Sequence, residues 1–178
     1  KTTIAHILKT ILKKGFKEEC ATIGTLGFYT NDNLIETGLT TPESLDVQKM
    51  LKSLVSDKIE NVIIEASSHA LKQHRLHDVD FKTTVFTNLT QDHLDYHKTM
   101  DDYFDAKSIL FSDLSVDSSS VINIDDYYGK KIYKKLSNNK VSYGFDLKSD
   151  ICIVNVDLAL SNSKIELIDH HYSHAASA

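Results

Sequence analysis

At 178 residues, 41% apolar and 25% charged, the chain has the composition of a soluble globular protein holding one domain, or one domain and part of another. Its formal net charge of −5 argues against general nucleic-acid binding, which needs a basic face. No apolar run approaches the roughly 20 residues of a membrane span. The two cysteines, Cys20 and Cys152, lie far apart in apolar strand-like runs, as reduced core residues of a cytosolic protein would.

The chain opens Lys1-Thr2-Thr3, after which Ile4, Ile7, Leu8, Ile11 and Leu12 recur at helical spacing up to Gly15, a C-cap candidate. Lys-Thr at a helix start has two readings. It is an N-terminal cap, or it is the tail of a phosphate loop, in which the lysine reaches the phosphates and the next hydroxyl binds Mg²⁺. The glycines of that loop are absent. A short strand over residues 20–23 ends in Gly24-Thr25-Leu26-Gly27, which reads as an ordinary turn or as a close backbone approach to a ligand. Residues 31–33 read as a hairpin tip. Thr40-Thr41-Pro42-Glu43 starts a helix, with Thr41 as N-cap and Pro42 in the first turn. Leu45, Val47, Met50, Leu51, Leu54 and Val55 form its apolar side.

Residues 61–64 read as an all-apolar strand of the kind buried in a parallel sheet. It ends in Glu65-Ala66-Ser67-Ser68-His69. A carboxylate at such a strand end either holds Mg²⁺ or its water, as in a Walker-B position, or caps the next helix. The helix over residues 68–73 leads to Arg75, the chain's only arginine and a candidate for bidentate contact with a carboxylate or phosphate.

Residues 84–111 carry the densest chemistry. An apolar strand, Thr84-Val85-Phe86, passes through Thr87-Asn88 into Asp92, His93, Asp95 and His97, and then into a helical pattern holding Lys107. Clustered carboxylates and imidazoles past a strand end suit Mg²⁺ or Mn²⁺, although such a cluster alone is also compatible with a solvated loop. A strand over 120–124, a helix over 126–136 and a strand over 140–143 ending at Gly144 follow. From Asp150 the texture becomes that of a β-hairpin or small antiparallel sheet. The His-containing end, from Asp169 on, reads as an irregular tail. Strand and helix alternate through about five units, so the fold class expected is α/β: an open, mostly parallel sheet flanked by helices.

Taken together, the segments KTT, TTPE, EASSHALKQHR, FTNLTQDHLDYHKTMDDYFDAK and INIDD resemble the Mur ligase family, and within it the UDP-N-acetylmuramoyl-tripeptide synthetases. They run in the family's order and cover residues 1–144. The resemblance implies a P-loop NTPase-like central ATP-binding domain over residues 1–149, lacking its first strand and phosphate-loop glycines, and a partial antiparallel β extension with tail over 150–178. It also implies an ATP-dependent ligase of peptidoglycan biosynthesis. ATP would phosphorylate the terminal carboxylate of UDP-N-acetylmuramoyl-L-alanyl-D-glutamate, and the amine of L-lysine or meso-diaminopimelate would attack the acyl phosphate.

By the same resemblance, Lys1, Thr2, Thr3, Asn88, Asn123 and Asp126 match ATP-binding positions, and Thr40, Thr41, Ser67, Gln73 and Arg75 match positions on the nucleotide-sugar substrate. Thr2 and Glu65 would serve a first Mg²⁺. His93 and Lys107, the lysine carbamylated by CO₂, would serve a second; Lys1, His93 and Lys107 are the catalytic candidates. Asp92, Asp95 and His97 take supporting roles. A cytoplasmic monomer is expected, as an incomplete fragment that is inactive alone. The competing readings are a related ligase of the folylpolyglutamate or cyanophycin synthetase type, a non-catalytic nucleotide-binding fragment, a hydrolytic P-loop NTPase and a metal-dependent hydrolase.

Overall fold

The computed structural model describes residues 1–30, 33–91, 94–112, 114–159 and 162–170. The hairpin tip at 31–32 and the tail beyond His170 lie outside them. The chain forms two compact units, Lys1–Val79 and Asp80–Ala178.

In the first unit, helix α1 (Thr2–Ile11) runs into a wide π-type turn over Leu12–Phe16. That turn carries the chain past Gly15, so Gly15 does not end the helix. Lys17 does, in the left-handed conformation at φ 58°, with the Glu18 amide bonded back to the Leu12 carbonyl. Four strands follow: β1 (Cys20–Gly24), β2 (Gly27–Thr30), β3 (Asn33–Ile35) and β4 (Asn61–Ile64), in the order β3-β2-β1-β4. β1 and β2 form a tight hairpin closed at Gly24 and Gly27, and β1 runs parallel to β4, pairing Cys20 with Asn61 through Ile23 with Ile64. Every β1 residue is buried, whereas β4, expected to be fully buried, is half-buried along its length. Ala21, Ile23 and Phe28 pack with Leu54 from helix α2 (Ser44–Ser56) and with Ile59. The N-cap of α2 is Glu43, not Thr41, and no side chain caps it, because the Thr41 hydroxyl is committed elsewhere. Helix α3 (Ser68–Lys72) follows β4 closely.

The second unit alternates strand and helix as the sequence predicts. β5 (Thr83–Phe86), β6 (Ser119–Asn123), β7 (Asn139–Gly144) and β8 (Ile151–Asp157) lie parallel in that order, and β9 (Lys164–Asp169) closes the sheet antiparallel to β8. The hairpin expected after Asp150 is therefore β8 with β9, and β8 continues the parallel sheet. The helical pattern of residues 84–111 divides into α4 (Leu94–His97) and α5 (Met100–Ser108). The break falls at Lys98, left-handed at φ 60°, after which the Thr99 hydroxyl caps α5 by accepting from the Asp102 amide. Helix α6 (Tyr127–Lys135) packs Ile132 against Ile122, Phe86, Leu89, Tyr103 and Phe104. It approaches β6 so closely that a Cβ on Gly129 would lie 1.9 Å from the Asn123 carbonyl oxygen.

Candidate active site

Within the first unit, the candidate residues gather at the carboxyl ends of the parallel pair β1 and β4, where open α/β sheets hold their ligands. The Glu65 amide extends the ladder to the Ile23 carbonyl at 2.8 Å, which turns its side chain toward the end of β1. There Glu65 Oε2 accepts from the Thr2 hydroxyl at 2.9 Å, the Thr25 hydroxyl at 3.2 Å and the Thr25 amide at 3.3 Å. The residue is 7% exposed, and Oε1 carries no hydrogen bond among the described residues. Gly24 makes this possible, since a Cβ there would sit 3.0 Å from Oε2. Thr25 Oγ1 also meets Thr40 Oγ1 at 3.1 Å.

The alternative for Glu65, a helix cap, is not what is found. Ser67 caps α3, its hydroxyl accepting from the Ala70 amide at 3.2 Å. Thr41 links the two layers: its hydroxyl donates to the Glu65 carbonyl at 2.8 Å, accepts from the Ser67 amide at 3.0 Å and lies 3.2 Å from Ser67 Oγ. Arg75 closes the cluster. Its Nε and Nη2 donate to Gln73 Oε1 at 2.9 and 2.5 Å, its Nη1 donates to the Thr41 carbonyl at 2.8 Å, and Nη2 pairs with Glu43 Oε1 at 3.0 Å. Thr2, Thr40, Thr41, Glu65, Ser67, Gln73 and Arg75 are thus linked, with Thr25, in one hydrogen-bonded network that joins the two sets of residues assigned separately from sequence. Lys1 and Thr3 are exposed, and the Lys1 carbonyl accepts from the Ala5 amide in the first turn of α1.

Thr25 and Glu43 were not singled out from sequence as site residues. The glycine pair around Thr25 and the last letter of TTPE were the available signals.

In the second unit, Asn88 follows the carboxyl end of β5, and Asn123 and Asp126 lie at and just past that of β6. Asn123 Nδ2 donates to the Thr87 carbonyl at 2.8 Å, and its Oδ1 accepts from the Asp125 amide at 2.9 Å. Asp126 Oδ2 accepts from the Leu89 amide at 2.9 Å, while Oδ1 caps α6 through Tyr128 and Gly129 at 2.8 and 3.0 Å. The Thr87 hydroxyl donates to Asn88 Oδ1 at 3.2 Å. These side chains hold the loop after β5 against the start of α6. At the end of β7, the Asp125 carboxylate accepts from the Phe145 amide at 3.0 and 2.9 Å across Gly144. Burial, followed by the nearby Asp125 and Asp126 carboxylates, pushes the Tyr143 phenol above its ordinary value.

Lys107 is half-buried, with Nζ 5.2 Å from the centre of the Tyr103 ring. Tyr103 stacks on His97 at 4.9 Å and 19°, and His97 is 1% exposed. Asp92, His93 and the Asp95 side chain lie outside the described residues. Among the described residues no three His, Cys, Asp or Glu groups converge as a metal cage. The donors that fit a hard cation are the Thr2 hydroxyl and the Glu65 carboxylate, buried and with one oxygen uncommitted.

The family described as Mur ligase middle domain matches residues 1–177. The UDP-N-acetylmuramoyl-L-alanyl-D-glutamate--2,6-diaminopimelate ligase of Clostridium botulinum is 45% identical over 159 residues, covering 89% of this chain and 32% of the relative. The protein of the same name from Aquifex aeolicus is 39% identical over 155 residues, covering 87% and 31%. The chain thus spans about a third of the length of these curated relatives. A solved structure of a UDP-N-acetylmuramoyl-L-alanyl-D-glutamate--2,6-diaminopimelate ligase superposes with a TM-score of 0.84 at 30% identity, over 95% of this chain and 35% of that one.

Proposed function

The chain belongs to the Mur ligase family, matched along the middle domain, and from that premise we propose that its protein is an ATP-dependent ligase joining 2,6-diaminopimelate to UDP-N-acetylmuramoyl-L-alanyl-D-glutamate in peptidoglycan synthesis. The relatives' shared name favours diaminopimelate over L-lysine, the two amino acids left open by the sequence. The reading includes a cytoplasmic, monomeric enzyme whose ATP-binding domain spans residues 1–149, with a β extension over 150–178. No helix among the described residues is long and apolar enough to cross a membrane. The chain alone, as a piece of that enzyme, is proposed to be inactive.

The observation that carries this reading is the convergence of Thr2 and Thr25 on the buried Glu65 carboxylate at a parallel strand end. Thr2 and Glu65 offer oxygen ligands to a first Mg²⁺, and Lys1 and Thr3 flank them on the phosphate side of ATP. Mg²⁺, when bound, neutralises charge on the phosphoryl group in flight from ATP to the substrate carboxylate. The remaining work is positioning, which suits a reaction with little covalent chemistry for the protein to perform. Thr40, Thr41, Ser67, Gln73 and Arg75 orient the nucleotide-sugar acid. Asn88, Asn123 and Asp126 shape the region of the ATP base and ribose by fixing the loop after β5. His93 serves a second Mg²⁺ together with Lys107. In that role Lys107, once its ammonium has lost a proton, would add CO₂ through the neutral amine and release a second proton, becoming a long carboxylate able to support the cation.

The test is Glu65→Gln in the polypeptide at its natural length, assayed for phosphate release across a Mg²⁺ titration. The expected result is a loss of roughly 100-fold, with the Mg²⁺ requirement moved upward. Full activity at unchanged Mg²⁺ dependence would remove Glu65 from the reading.

A further inference from the structure

We propose that Glu43 is an internal stand-in for the substrate's oxyanion on Arg75, displaced when the nucleotide-sugar acid binds. The inference rests on the reading of Arg75 as a substrate-binding residue. A guanidinium has five N–H donors. Three of those of Arg75 are hydrogen-bonded within the chain: Nε and one N–H of Nη2 to Gln73, and one N–H of Nη1 to the Thr41 carbonyl. One N–H on each terminal nitrogen remains to meet a carboxylate or phosphate oxygen. The Glu43 carboxylate forms an ion pair with Nη2 at 3.0 Å.

The two partners differ in how firmly they are held. The Arg75 side chain is 13% exposed and is held by three hydrogen bonds to Gln73 and Thr41. The Glu43 side chain is 61% exposed, and among the described residues this ion pair is its one contact with a charged group. It sits at the non-helical start of α2, where its side chain caps nothing. Glu43 therefore contributes little to orienting Arg75. What it supplies is a competing negative charge at the position where the substrate's anion binds.

The competition predicts a gain when the charge is removed. In the polypeptide at its natural length, Glu43→Gln and Glu43→Ala both lower KM for UDP-N-acetylmuramoyl-L-alanyl-D-glutamate, with kcat/KM raised about two- to five-fold, the strength of an exposed ion pair. Arg75→Ala, measured alongside, raises that KM. UDP-N-acetylmuramate, which lacks the dipeptide, serves as a competitive inhibitor to locate the anion. If Glu43→Gln tightens its inhibition equally, the anion is on the nucleotide sugar; tightening confined to the full substrate puts it on the peptide.

Two outcomes overturn the displacement. One is a KM unchanged in both Glu43 variants while Arg75→Ala raises it. The other is a KM raised by Glu43→Ala and spared by Glu43→Gln, the pattern of a residue that merely positions Arg75. If Arg75→Ala leaves KM unaltered, the underlying reading of Arg75 fails instead, and the displacement fails with it.

Discussion

The Thr2 hydroxyl donates to Glu65 Oε2 at 2.9 Å across sixty-three residues of chain, joining the first turn of α1 to the end of β4. Neither residue is informative by itself. Together with Thr25 they define a buried oxygen site whose geometry depends on Gly24, and the first prediction follows from that dependence.

Gly24→Ala places a methyl group 3.0 Å from Glu65 Oε2 and 3.2 Å from Glu65 Cβ. The carboxylate is tethered by its bonds to Thr2 and Thr25, so it yields only by giving up part of that arrangement. Phosphate release is expected to fall roughly 10- to 100-fold, as for a small misplacement of a catalytic group. A Gly24→Ala enzyme with full activity would show that the carboxylate has more room than this contact allows.

Thr41→Val removes one hydroxyl while keeping the shape. It leaves the Glu65 carbonyl without its donor and the Ser67 amide without its acceptor, in a residue that is 1% exposed. The expected cost is about 1–3 kcal/mol in urea unfolding, and Thr41→Ser is expected to recover most of it. A stable Thr41→Val beside a destabilised Thr41→Ser would assign the role to methyl packing instead of the hydroxyl.

Gly129→Ala tests the second unit. The added Cβ meets the Asn123 carbonyl at 1.9 Å, so α6 must move off β6 and carry with it the Asp126 cap and the Leu89 amide bond. A loss of about 3 kcal/mol is expected. Hydrogen exchange should quicken at Leu89 and Gly129; a stable variant with unchanged exchange would contradict the packing.

Alkaline stability has a definite sign. Burial raises the Cys20 thiol above its ordinary 9.0, with Lys9 pulling it down and Glu19 adding to the rise. Burial likewise raises the Tyr133 and Tyr143 phenols above 10.0. In each case the fold favours the neutral form. Their contribution is therefore fully present below the unfolded values and is lost as pH climbs toward the raised folded ones. Urea melts between about pH 8 and about pH 11 should show stability falling from near pH 9, with Cys20→Ala deferring the onset to near pH 10. A decline that begins at the same pH in both proteins would remove Cys20 as its source.

What the sequence made legible follows the range of the interactions. The strands over 20–23, 61–64, 84–86, 120–124 and 140–143, with Glu65 at the end of one of them, are written in local pattern, and each is found to within a residue at its ends. The assignment of Thr41 as a helix cap failed because capping rules see only neighbouring residues. The hydroxyl instead found the carbonyl of Glu65, far away in the chain. Gly15 failed as a C-cap for a comparable reason: a π-type turn delayed the end of the helix to Lys17, which took the left-handed conformation without being glycine. Thr25 was hidden inside a Gly-x-x-Gly turn whose meaning depends on what packs against it, and Glu43 was hidden behind the arginine it meets only in the folded chain.

The central claim is tested most directly by phosphate release from the natural-length polypeptide given Mg²⁺, ATP and UDP-N-acetylmuramoyl-L-alanyl-D-glutamate, with meso-diaminopimelate and L-lysine in separate reactions. The account predicts release that requires the dipeptide substrate and meso-diaminopimelate and is weak with L-lysine. Release indifferent to both the dipeptide and the amino acid would contradict it, leaving an ATPase of this fold with a different acid substrate.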